Sequence, residues 1–215
     1  LCYRAEDRDA ADVFSRIVPY GLFTVHGYLR AHGIDSRLHN FTGRAWGEIA
    51  RVMRDLRPDV VGVSHFTFNH ASSTELYRVA AEAVPDALRV AGGPQVTHLD
   101  GPVLKRSPAP HVVVRGEGED AMLALARRAS GGSRDWSTVP GVSWISADAL
   151  KRTEEGERPE DLDPFHTPER FERVHGVDPA EQYPIVITSR GCPAECTFCN
   201  TPLFWGTKMR FRSAV

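Results

Sequence analysis

Long apolar runs are missing from this 215-residue chain: no stretch reaches the roughly 20 apolar residues that a bilayer-spanning helix needs, and no basic-then-apolar leader opens it. A soluble, cytoplasmic protein with no membrane partner is therefore the expectation. Charge of one sign is missing too. Lys plus Arg is 26 against 28 for Asp plus Glu, a formal net charge of -2, so there is no electrostatic footprint for nucleic acid or an anionic surface. Cysteine is scarce, four residues in all, which argues against a disulfide framework. Internal repeats are absent. An initiator Met is lacking as well: the chain begins at Leu1 and stops at Val215, soon after its cysteine-rich stretch. The expectation is a fragment cut at both ends, with room for one full domain and part of another.

What cysteine there is lies concentrated in Ser189-Arg190-Gly191-Cys192-Pro193-Ala194-Glu195-Cys196-Thr197-Phe198-Cys199-Asn200. The spacing C-x3-C-x2-C offers three thiolates from one compact loop, whereas an iron–sulfur cluster of four irons usually takes four. One iron would stay open, free to hold a small molecule and pass it an electron. The rival is a structural zinc site completed by a residue such as His175, but zinc ligands generally come as two short couples. No second C-x2-C or H-x3-H couple is present. The apolar, β-branched run Tyr183 to Thr188 reads as a buried strand feeding the loop.

This loop resembles the signature loop of the radical S-adenosylmethionine (radical SAM) enzymes, with the aromatic Phe198 before the third cysteine. The resemblance implies that Cys192, Cys196 and Cys199 bind a 4Fe-4S cluster. Its open iron would chelate S-adenosylmethionine, and an electron from the cluster would cleave that cofactor to a 5′-deoxyadenosyl radical. Phe198 would shape the adenosyl site. An external electron donor such as flavodoxin or ferredoxin is implied as well.

Upstream, strand-like and helix-like segments alternate. Leu1-Cys2-Tyr3 ends a first strand before a polar loop, Arg4 to Asp12. Leu22, Val25, Tyr28 and Leu29 recur at helical spacing up to Gly33. Ile34 to Asn40 reads as a short edge strand, and Trp46 to Met53 as a helix ended by Arg57-Pro58. Asp59 to Ser64 is a continuous apolar run of the kind covered on both faces. A helix from about 72 to 83, a strand Ala87 to Ala91, a short helix near 101–106, a strand His111 to Val114 and a helix through Met122 and Leu125 complete the series. Such alternation predicts an α/β fold with a doubly wound, mostly parallel sheet. Ligands of that fold sit at the C-terminal ends of the strands. There stand Ser64 and Thr67, Gly92-Gly93-Pro94, and Gly116-Glu117-Gly118.

Three regions are expected: 1–130, a linker over 131–170 with a small hairpin or extended arm at 139–145, and a second, truncated domain over 171–215. The acidic run through Glu154, Glu155, Glu157, Glu160 and Asp161 reads as a solvated connection. Arg190, Lys208, Arg210 and Arg212 surround the loop with positive charge and read as solvated cations, the alternative being that they balance an anionic cluster or cofactor carboxylate, with Arg210 to Ser213 entering a barrel helix. His65, His70 and His98 fall near the ligand edge, where each could contact a ligand or substrate, although a histidine in a surface loop is commonly just solvated. Cys2 reads as a small buried residue.

The segment from Val18 to Leu125 resembles the cobalamin-binding domain that precedes the barrel in cobalamin-dependent radical SAM proteins. The resemblance is carried by Pro19-Tyr20-Gly21-Leu22, Pro58 to Ser64, Ala91-Gly92-Gly93-Pro94, Gly116-Glu117-Gly118-Glu119 and Pro140-Gly141-Val142. It implies a flavodoxin-like fold, with cobalamin held by Ser64, Thr67, Gly92, Gly93, Pro94, Gly116, Glu117 and Gly118 over the start of a radical SAM (β/α) partial barrel. The activity implied is methyl transfer to, or radical rearrangement of, a small-molecule substrate. One departure stands out: the D-x-H-x-x-G loop that supplies a lower axial histidine in many cobalamin carriers is absent, so cobalt should lack that ligand. Two rivals are a cobalamin-free recognition module, as in methylthiotransferase-like relatives, and a zinc-stabilised binding module.

Overall fold

A computed structural model of the chain describes residues 1–5, 18–165, 174–175 and 187–214. Its centre is one sheet in the order β7-β6-β5-β4-β3-β1-β2-β8. The strands are β1 (Cys2–Tyr3), β2 (Leu38–Asn40), β3 (Val60–Ser64), β4 (Leu88–Gly92), β5 (Val112–Val114), β6 (Val142–Ser146), β7 (Ala149–Arg152) and β8 (Val174–His175). Pairing is parallel from β8 through β5 and antiparallel for β6 and β7. The expected α/β architecture is therefore the observed one.

Helices cover both faces, which is why β3 to β5 read as unbroken apolar runs. On one face α2 (Trp46–Leu56), α3 (His70–Ala83) and the short α4 (Pro94–His98) and α5 (Asp100–Leu104) bury Ile49, Met53, Val61, Val63, Leu76 and Tyr77 together. On the other, α1 (Tyr20–Ala31) and α6 (Glu119–Ser130) pack Leu29, Val90, Val112, Val114, Met122 and Leu125. Adjacent strand residues thus serve opposite cores, as the two-residue period of a strand requires.

Several expectations need correcting. The segment after β4 forms two short helices rather than one, with Pro94 at the first turn of α4, where its missing N–H costs nothing. β2 is not an edge strand, since β8 pairs with it in register Leu38↔Val174 and His39↔His175. Of the hairpin or extended arm expected at 139–145, the hairpin is the form observed, β6–β7, and it continues the sheet. Val114 pairs with Val142, while Trp136 and Val139 are buried in the same core. Arg210 does not enter a helix: β10 (Arg210–Phe211) pairs antiparallel with β9 (Ser189–Arg190), and a short α7 (Thr201–Trp205) lies between them. The expected strand over 183–188 falls mostly outside the described residues, as do most of the polar loop after Ala5 and of the start of the second domain.

The strand order reverses beside β1: β2 lies to one side of it and β3, β4 and β5 to the other. The carboxyl ends of the strands at such a switch point leave a crevice.

Candidate functional site

That crevice is a cavity of about 260 Å³. The strand ends supply Ser64, Gly92 and Gly93, and Gly116-Glu117-Gly118, and the start of α1 adds Tyr20 and Gly21. Phe204 and Trp205 of α7 close one side. Seven of the eight residues expected at a cobalamin site line this cavity: Ser64, Gly92, Gly93, Pro94, Gly116, Glu117 and Gly118. Thr67 is exposed in the 3-10 turn Thr67–Asn69 and is not part of the lining.

The glycines have separable reasons. Gly93 has φ +113, and a Cβ there would stand 2.8 Å from the carbonyl oxygen of His65, so only glycine fits without strain. A Cβ at Gly92 would meet no atom within 4 Å, nor would one at Gly116. Their bareness keeps the strand ends open to the cavity.

Among the described residues, no histidine lines the cavity. His65 turns to the opposite face, where its Nδ1 lies 3.2 Å from the Tyr77 hydroxyl and its Nε2 2.9 Å from His70 Nδ1. Arg106 Nη1 donates to His70 Nε2 at 2.7 Å. Since arginine only donates, neutral His70 must carry its proton on Nδ1 and donate to His65. Burial, followed by the proximity of His70, pushes the His65 pKa down to about 4. Of the three histidines read as solvated, His65 is 1% exposed, and only His98 is freely exposed.

The cysteine loop leads into α7, whose Phe204 and Trp205 line the same cavity. Cys192, Cys196 and Cys199 are free thiols. The Cys192 amide donates to the Gly206 carbonyl at 3.1 Å, tying the loop's entry to the end of α7. Ahead of it Gly191 has φ +101, and the Lys208 carbonyl occupies the space a Cβ would need. The Thr201 amide donates to Cys199 Sγ at 3.4 Å, and hydrogen bonding from Thr201 lowers that thiol's pKa, favouring the thiolate that binds metal. Among the described residues, no three His, Cys, Asp or Glu side chains are gathered closely enough to hold a metal ion. The donor chemistry thus fits a cluster, while the loop is not drawn tight around one. His175, the fourth ligand of the zinc reading, is stacked on His39 with centroids 4.7 Å apart. Phe198 is 91% exposed.

Sequence reasoning missed the link between loop and cavity. Arg190 and Arg210 are each 4% exposed rather than solvated. Arg190 Nη1 donates to Glu117 Oε2 and its Nη2 to Glu119 Oε1, both at 2.5 Å, while Arg210 Nη2 donates to Glu117 Oε1. Burial pulls the Arg190 pKa down, but the two carboxylates outweigh it and leave it above the usual arginine value. Arg212 is likewise engaged, donating to the carbonyls of Ile187, Leu162 and Phe165. Lys208 does remain exposed, paired with Glu160 at 2.7 Å. Two acids inside an otherwise glycine turn at the sheet's ligand edge were the available signal.

Comparison with known proteins fits this geometry. The family model of the B12 binding domain matches residues 9–126. The anaerobic magnesium-protoporphyrin IX monomethyl ester cyclase of Cereibacter sphaeroides is 29% identical over 83% of this chain and 30% of its own length. The cytidylyl-2-hydroxyethylphosphonate methyltransferase of Streptomyces wedmorensis is 29% identical over 87% of this chain and 41% of its own. The chain thus spans well under half the length of these curated relatives. Among solved structures, the radical S-adenosylmethionine methyltransferase TsrM of Kitasatospora setae, with cobalamin and a 4Fe-4S cluster bound, superposes with a TM-score of 0.77 at 19% identity, over 99% of this chain and 43% of that one. This last likeness concerns the fold.

Proposed function

The chain belongs to the B12-binding domain family, and from that premise we propose that it is the cobalamin-carrying part of a longer cobalamin-dependent radical SAM enzyme. One observation carries the reading: the glycine-lined cavity at the switch point is walled by Phe204 and Trp205, in the helix that directly follows the third cysteine. A corrin site and a cluster loop would then share a wall.

At about 260 Å³ the cavity falls below the usual range for a whole drug-sized ligand. It would take one limb of cobalamin, with the rest lying over its mouth. Its largely apolar lining would exclude water there, and Gly92 and Gly116 would let the ligand approach the backbone closely. No described histidine lines the cavity, so none of them would serve cobalamin there as an imidazole ligand. Cys192, Cys196 and Cys199 would hold a 4Fe-4S cluster, and Phe198 would pack against the adenosyl group. Bound together, these groups supply a transferable methyl and an electron for cleaving S-adenosylmethionine. The chain's own residues orient them and keep them dry.

In this reading residues 1–130 form the cobalamin unit, the hairpin through Arg152 extends it, and 171–215 begin the radical SAM domain. An external flavodoxin- or ferredoxin-like donor would reduce the cluster. The substrate is a small molecule, in keeping with the porphyrin ester and phosphonate named for the relatives. Methyl transfer is the outcome favoured, with ring formation as the other chemistry among them. Anaerobic incubation of the full-length protein with hydroxocobalamin, then desalting, tests the cavity. Retention near one equivalent with an absorbance spectrum free of histidine ligation is expected. Flow-through of all cobalamin would overturn the reading in favour of a cobalamin-free recognition module.

A further inference from the structure

The β9–β10 ribbon contains an arrangement that is unfavourable on its own. Arg190 and Arg210 are direct cross-strand partners, and like charges directly opposite one another destabilise an antiparallel pair. Both are buried. What reconciles them is Glu117, whose two carboxylate oxygens take one arginine each, with Glu119 taking the second fork of Arg190. The four side chains balance in charge, and a buried pair that loses one partner is left with an uncompensated charge. Ribbon and glycine turn therefore move together or separate at a large cost.

Each end of this unit reaches a different ligand region. Glu117 and Glu119 line the sheet-edge cavity, as does Trp205. The Arg190 guanidinium lies 5.0 Å from the Trp205 ring centroid, and Arg210 Nη2 donates to the Trp205 carbonyl at 3.0 Å. On the other side Arg190 leads through Gly191 into Cys192.

We propose that Glu117 is a positioning residue through which occupancy of the cavity and cluster loading of the cysteine loop are thermodynamically coupled, an inference that rests on the functional reading above. A ligand displacing the Gly116-Glu117-Gly118 turn or Trp205 shifts the arginine pair, and with it the entry to the first cysteine. Coupling of this kind is reciprocal.

The test is the hydroxocobalamin Kd of the full-length protein, measured anaerobically before and after iron–sulfide reconstitution. In wild type the reconstituted form binds tighter by at least about five-fold, the low end of ordinary coupling. In the charge-balanced double variant E117Q/R210Q, which keeps the Arg190–Glu119 pair, the ratio of the two Kd values falls to near one. R210K, retaining charge without the fork, lowers the ratio part-way. The control D100N/R152Q removes another ion pair, that of Asp100 with Arg152 at 2.8 Å, and leaves the ratio at the wild-type value. A wild-type ratio near one, or variants that keep the wild-type ratio, overturns this inference alone. Failure of the wild type to retain cobalamin or iron overturns the functional reading along with it.

Discussion

Glu117 Oε2 lies 2.5 Å from Arg190 Nη1, so one carboxylate both walls the sheet-edge cavity and holds the strand that enters the cysteine loop. The side chains of that pair are only 3% and 6% exposed. Breaking a buried pair from one side costs about 3–5 kcal/mol, and loss of Arg190 takes the arginine from buried Glu119 while leaving Glu117 only Arg210. Arg190→Met should therefore lower unfolding stability by that order in denaturant titration. A loss below about 0.5 kcal/mol, the level of a surface substitution, would mean the pair is solvated after all.

Gly92 separates ligand binding from folding. A Cβ there meets no atom within 4 Å, and the position is the end of a strand, where valine is favourable. Gly92→Val should leave the melting temperature at or above wild type while weakening hydroxocobalamin binding by at least about tenfold, or about 1.4 kcal/mol. Unchanged affinity would remove the cavity from the binding site.

Gly93 behaves oppositely. Its φ of +113 and the His65 carbonyl 2.8 Å from a would-be Cβ make Gly93→Ala destabilising by about 1–3 kcal/mol. Thermal unfolding with and without cobalamin checks this, since the loss should appear in the ligand-free protein.

His65 gives stability a pH dependence. Its folded pKa is pushed down to about 4, whereas an unfolded histidine titrates near 6.5. The folded state thus disfavours the charged ring, so the contribution is complete above about pH 6.5 and fades as pH falls toward 4. It amounts to about 3 kcal/mol in all. Burial moves His111 to about 4 and His39 to about 3 in the same sense. The urea midpoint should fall from pH 7 to pH 4.5, and His65→Phe should make that fall shallower without abolishing it. An identical slope would show that His65 is exposed to water in solution.

Much of this site was legible because its signals are local. Glycines at strand ends, a run such as Val60-Val61-Gly62-Val63-Ser64 and three cysteines in one loop each carry meaning within a few residues. Their juxtaposition follows from the parallel sheet once the strand order is known. The buried arginines were not legible, since charged residues are almost never fully buried unless paired, and Arg190 and Arg210 find Glu117 across separations of 73 and 93 residues. Short elements escaped for another reason: α4 and α7 have five residues each, too few to display a helical period. Thr67 was placed at the ligand edge by its position after β3, but the chain leaves the sheet there as a 3-10 turn and carries it outward.

On the proposed reading, Cys192, Cys196 and Cys199 leave one iron of a four-iron cluster open to S-adenosylmethionine. Electron paramagnetic resonance of the reduced, anaerobically reconstituted full-length protein, recorded before and after adding S-adenosylmethionine, tests it most directly. The account predicts a 4Fe-4S signal that shifts on addition and disappears in the C192S/C196S/C199S variant. A signal indifferent to S-adenosylmethionine, or a protein that holds zinc and no iron, would contradict it.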